Sequence, residues 1–113
     1  MAVRYYLSIP DAGALGAAGE FAFRARGAEG LAEELQAALR EDALFQRWRA
    51  AQEDPDGVDP GLGVVDATAT VRGEQHDLQI DLVATTSIPG AVLKHRLRLL
   101  AGGGWQLRDV TAA

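Results

Sequence analysis

The chain has no cysteine, so a disulfide, a thiolate metal site and a cysteine nucleophile are all excluded. Aromatic residues are scarce, with two Trp, three Phe and two Tyr, whereas 14 Leu and 21 Ala supply the apolar mass. The core is therefore expected to be aliphatic. Lysine is nearly absent, one against ten Arg, a bias that points to a GC-rich bacterial source and says nothing of activity. No run approaches the roughly 18 apolar residues of a membrane span. The short apolar stretch Tyr5 to Ile9 ends at Pro10-Asp11, too soon for the core of a signal peptide. A cytoplasmic location is the default expectation unless a leader has been removed, with no membrane partner.

A length of 113 residues fits one domain, 1–113. At 48% hydrophobic and 24% charged residues, the composition is that of a folded globular chain. The net charge of −5 lies entirely in residues 1–60, which hold 11 acids against 6 Arg, while residues 61–113 are balanced. An acidic chain lacks the basic surface that nucleic-acid binding needs, so no nucleic-acid partner is expected.

Alternation dominates the second half. Val65, Ala67, Ala69 and Val71 alternate with polar residues; Leu78, Ile80, Leu82 and Ala84 alternate with Asp77, Gln79, Asp81 and Val83; Leu93, His95, Leu97 and Leu99, then Trp105, Leu107 and Asp109, again alternate with polar residues. A period of two predicts four strands of an antiparallel meander with one buried face. Val3, Tyr5, Leu7 and Ile9 predict a first strand over 2–9, and Phe21, Phe23 and Ala25 a second. Residues 28–52 read as helical, with Leu31, Leu35, Ala38, Leu39 and Phe45 on one face. Leu44 falls off that face, so the helix is expected to break near Glu41-Asp42, with Asp42 capping a second helix. The expected fold is α+β: a curved antiparallel sheet of about six strands in ββαββββ order, packed on one face by the helix. A helix followed by a long meander resembles the general shape of cystatin-like and NTF2-like folds, without matching a motif of either.

Two loops invite chemistry and do not carry it. Gly13, Gly16 and Gly19 lack the Lys-Ser/Thr pair of a phosphate loop. In Asp54-Pro55-Asp56-Gly57-Val58-Asp59, Val58 occupies the third alternate ligand position of a calcium loop and no late Glu follows. Neither a metal nor a cofactor is expected.

Two residues break the inward alternation, His95 and Asp109. A three-residue loop of Ala101, Gly102 and Gly103 sets Leu99 against Trp105, Leu97 against Leu107 and His95 against Asp109. The pair is either a satisfied hydrogen bond at the sheet's open end or a general base with its orienting carboxylate. In the second case Phe45, Trp48 and Trp105 would wall a pocket for a small organic molecule. His76, beside a turn, is expected at the surface. The same register puts Arg96 opposite Arg108 on the outer face. With Lys94 and Arg98 they would form a basic stripe, which is either solvated or a docking patch for an acidic protein. The leading functional expectation is a small non-catalytic protein-interaction module using this stripe or a sheet edge. The alternative is a small-molecule-binding protein or enzyme with the His95-Asp109 pair. A homodimer through an edge strand fits either.

Overall fold

The computed structural model describes residues 2–113. Strand β1 runs Val3–Ile9; helices α1 (Ala28–Arg40) and α2 (Ala43–Ala50) follow; then come strands β2 (Thr70–His76) and β3 (Gln79–Thr86), helix α3 (Gly90–Ala101) and strand β4 (Gln106–Ala112). The strands form one antiparallel sheet in the order β2-β3-β1-β4. A βαββαβ element order with β3 inserted between β1 and β2 is the split βαβ arrangement of ferredoxin-like topology. The fold is thus α+β with an antiparallel sheet. It contains four strands rather than six among the described residues, and its last helix interrupts the meander on which the cystatin-like and NTF2-like comparison depended.

Two expected strands are not strands. Residues 93–99 belong to α3, whose buried positions Val92, Leu93, Arg96, Leu97, Leu100 and Ala101 follow a helical period. Leu93 and Leu97 satisfy both periods, so alternation alone misleads there. The flanks decide it: Pro89 stands at the N-cap, Leu, Lys and Arg favour helix between, and Gly102 ends it at φ +58°. The stretch Phe21 to Arg26 is irregular because Phe23 enters the core as an anchor and donates its backbone N–H to Leu100 O at 2.8 Å. The Glu34 carboxylate accepts the N–H groups of Arg24 and Ala25 at 3.0 and 2.7 Å, using up donors that a ladder would need. Residues 65–69 are also a loop, and the hairpin between β2 and β3 turns at Asp77-Leu78, with Asp77 at φ +57°.

The break in the helical segment falls at Glu41-Asp42. Asp42 stands at the start of α2, but its carboxylate accepts from the Gln46 side chain, not from a backbone N–H. Tyr5, Leu7 and Ile9 of β1 and Ile80, Leu82 and Ala84 of β3 bury under the helices, where Leu31, Leu35, Leu39, Leu93 and Leu97 complete an aliphatic core. Gly73 on β2 permits the closest approach: a Cβ there would lie 2.5 Å from the backbone oxygen of Ala28 at the start of α1. Gly73→Val should therefore cost about 2–3 kcal/mol, a thermal midpoint loss on the order of 10 °C. An unchanged melting curve would show that α1 can slide.

The principal extents are 42 × 33 × 19 Å. The short dimension accommodates a sheet and a single layer of helices, given sheet and helix layers about 10 Å apart. The helices cover one face of the sheet; the other is largely open, although Ser8 on it is buried among its neighbours.

Candidate functional site

Because Tyr5, Leu7 and Ile9 point under the helices, Arg4, Tyr6 and Ser8 point the opposite way. The strand registers then define rows across the open face. Thr70, Thr85, Arg4 and Thr111 form one row; Arg72, Val83, Tyr6 and Asp109 the next; Glu74, Asp81, Ser8 and Gln106 the third. The register slips between Tyr6 and Leu7, which leaves Arg108 as the extra residue of a bulge on β4. Tyr6 and Val83 are half-buried at the centre, while Arg72, Arg108, Glu74 and Asp109 are exposed around them. Tyr6, Val83, Arg72, Asp81, Gln79 and Arg108 line a depression of about 610 Å³. An apolar centre of Tyr and Val with a charged rim has the anatomy of a protein-binding surface.

The expected basic stripe divides between two elements. Arg108 lies on the open face, but Lys94, Arg96 and Arg98 belong to α3 on the covered side. Arg96 is only 1% exposed. Its guanidinium donates to Ala38 O and Leu62 O, each at 3.1 Å, and to Val64 O. Ala38 sits in the last turn of α1, where carbonyls lack helical partners, so Arg96 closes that helix end and ties it to the loop before β2. Burial pushes the Arg96 pKa down, and the Asp42 carboxylate opposes that shift. The expected repulsion between Arg96 and Arg108 does not arise.

His95 and Asp109 are likewise separated. His95 lies on α3 with its ring edge-on to Trp48, centroids 4.5 Å apart, and its Nδ1 buried without a hydrogen-bond partner. Burial lowers its pKa, with Arg98 and Arg96 adding to the effect, so the imidazole is neutral near pH 7. Asp109 is exposed on β4 and accepts the Val110 N–H at 2.8 Å. No hydrogen bond joins His95 to Asp109; the cross-strand contact required α3 to be a strand. The three proposed wall residues also part company. Phe45 and Trp48 pack on each other on α2, with centroids 6.1 Å apart. Trp105 instead lines a groove of about 280 Å³ between α3 and strands β1 and β4, with Tyr5, Leu93, Leu97 and Lys94. His95 does not reach that groove.

Sequence reading missed Asp66. This loop carboxylate accepts from Thr68 N and Oγ1, Thr86 Oγ1 and Ser87 N at 2.8 to 3.0 Å, fastening the loop before β2 to the end of β3. Chiefly the Ser87 and Thr68 hydrogen bonds hold its pKa far below the ordinary carboxylate range. Asp66 followed by Thr68 was the available signal, an Asx turn in place of the expected strand. Tyr6 and Val83 were also missed as a site, although each lies on the outward phase of a legible strand. Their union needed the β1–β3 pairing.

The sheet edges are blunted in places. On β2 the Val71 N–H is taken by Gln36 Oε1 at 3.0 Å, and Ala69 O just before it by Arg40 Nε. On β4 the bulge and the Asp109 carboxylate interrupt the free edge. His76 is exposed beside Glu74 and Asp81, 3.6 and 3.4 Å from their carboxylates. Among the described residues no group of three or more His, Asp or Glu could hold a metal ion, and no helix is long and apolar enough to cross a membrane. Comparison with known protein families, with curated proteins and with solved structures gives no match. The functional reading therefore rests on the geometry of the open face, since topology does not itself define function.

Proposed function

We propose that this chain is a non-catalytic interaction module that binds another protein through the open face of its sheet. The observation that carries this reading is the uncovered row Arg72, Val83, Tyr6 and Asp109, apolar at its centre and charged at both ends. A half-buried Tyr beside an aliphatic side chain is the kind of anchor that loses water favourably on docking, and exposed Arg at its rim adds directional hydrogen bonds. The separation of His95 from Asp109 removes the acid-base pair on which an enzymatic reading relied. A cytoplasmic setting suits a chain free of cysteine.

The test uses the whole chain as bait in an extract of its native cells, with bound proteins identified by mass spectrometry. Val83→Arg puts a charge at the centre of the face, and Glu33→Arg on the exposed side of α1 serves as the control. A protein retained by the original chain and by the control should be lost with Val83→Arg, while the three baits melt within a few degrees of one another. Capture that survives Val83→Arg would remove the open face from the account.

A further inference from the structure

The charges on the open face are balanced, unlike those of the whole chain. Arg4, Arg72 and Arg108 stand against Glu74, Asp81 and Asp109, whereas the chain carries a net −5. An evenly mixed face offers no advantage to a strongly acidic or strongly basic partner. Its order is more telling than its sum. In the central row the cation stands on one edge strand, the two apolar residues on the central strands, and the carboxylate on the other edge strand.

We infer that the partner of this face is a second copy of the same chain, packed sheet against sheet about a two-fold axis that runs parallel to the strands between β3 and β1. The inference rests on the open face being the binding surface and names its occupant. Such an axis exchanges the left and right of each row. It lays β2 of one copy over β4 of the other and β3 over β1. Arg72 then meets Asp109 of the second copy, and Val83 meets Tyr6. Glu74 lies over Gln106 in the third row, and Arg108, in the bulge beside Gln106, meets Glu74 on the diagonal. Each contact occurs twice, as an isologous interface requires. A two-fold axis through the central row but running across the strands would instead lay Arg72 on Arg72 and Asp109 on Asp109. The charge order selects between the two axes.

Aligned packing of twisted sheets, at about 30°, accommodates the first arrangement. Strands of seven or eight residues, four abreast, offer a face on the order of 23 by 19 Å at ordinary strand spacings. That is on the order of 440 Å² from each copy, short of the roughly 1,000 Å² in total that a stable interface clears, so the dimer is expected to be weak and concentration-dependent. Added salt should weaken it, because the rim pairs remain accessible to ions.

Sedimentation equilibrium of the purified chain across about 1 to 300 μM provides the first reading. The decisive reading is a charge exchange. Arg72→Glu alone sets two carboxylates against each other, the introduced one and that of Asp109. Asp109→Lys alone sets an ammonium against the Arg72 guanidinium. Each variant should therefore dimerise at least about tenfold more weakly than the parent. Mixing the two variants restores both pairs. The carboxylate introduced by Arg72→Glu in one copy meets the ammonium introduced by Asp109→Lys in the other, while the unchanged Arg72 and Asp109 meet at the second site. Heterodimers should form at close to the parental affinity. Glu74→Arg and Arg108→Glu form a second complementary pair, independent of the bond that Asp109 makes to Val110, and melting curves establish that each variant folds.

A parent chain monomeric at the top of that range overturns the inference, as does a mixture that stays as weakly associated as its components. A monomeric parent whose open face still captures a different protein from extract leaves the interaction reading standing and removes only the second copy. A dimer that persists in Val83→Arg, with capture also unchanged, overturns both.

Discussion

Arg96→Met should lower folding stability by about 3 kcal/mol and the thermal midpoint by roughly 10–15 °C. Two opposing effects set that value. Removing the guanidinium relieves the cost of burying a charge that has no carboxylate within salt-bridge distance among the described residues. Against this, Ala38 O, Leu62 O and Val64 O all lose their donor at once. A buried carbonyl left unpaired costs about 1–3 kcal/mol, so three of them outweigh the relief even where water reaches the loop. Arg96→Lys should lose nearly as much, because one ammonium cannot span carbonyls on a helix end and two loop positions as the planar fork does. Urea melts of the parent and both variants provide the measurement. A methionine variant as stable as the parent would mean that desolvation of the charge cancels everything its hydrogen bonds contribute.

Asp66→Ala is expected to cost about 2 kcal/mol at neutral pH, through loss of four hydrogen bonds to a charged acceptor in a partly exposed site. The effect should also depend on pH in a definite direction. The folded-state pKa of Asp66 lies below its unfolded value, so the carboxylate stabilises the fold fully above the ordinary carboxylate range near 4. That contribution is lost as the pH falls further and the folded group takes up its proton. Asp66→Asn keeps an acceptor oxygen without the charge, so its deficit against the parent should shrink between about pH 5 and pH 2. Urea midpoints at these two pH values are sufficient to test it; a deficit independent of pH would show that the charge contributes nothing.

Much of the fold was legible where one period dominates. The alternation Val3, Tyr5, Leu7, Ile9 identified β1 and its buried face, and Ile80, Leu82, Ala84 did the same for β3. The wheel position of Leu44 located the break between α1 and α2. Legibility failed where the pattern was double. Leu93 and Leu97 satisfy both a strand and a helix, and once α3 is assigned to the sheet, the register, the His95-Asp109 contact and the Arg96-Arg108 repulsion all follow wrongly from it. Pro89 and Gly102 carried the correcting signal, as boundaries of a helix. Of the candidate surface, Arg108 was read on the correct face, whereas Arg72, Tyr6 and Val83 were not gathered with it. Their neighbourhood is a property of pairing between strands far apart in sequence.

By itself the amino-acid sequence determined the conformation and inward side of β1, β3, α1 and α2, because side-chain periodicity and end signals act within a few residues. It also excluded thiol chemistry outright, by having no thiol. Only the tertiary structure decided that β1 lies between β3 and β4, which brings Arg72, Val83, Tyr6 and Asp109 into one row. It alone decided that Arg96 is interior while Arg108 is not. The physical reason is the same in both cases. Charge and hydropathy along the chain state what a residue prefers, but burial and opposition are set by which distant segment packs against it. That choice belongs to the whole core.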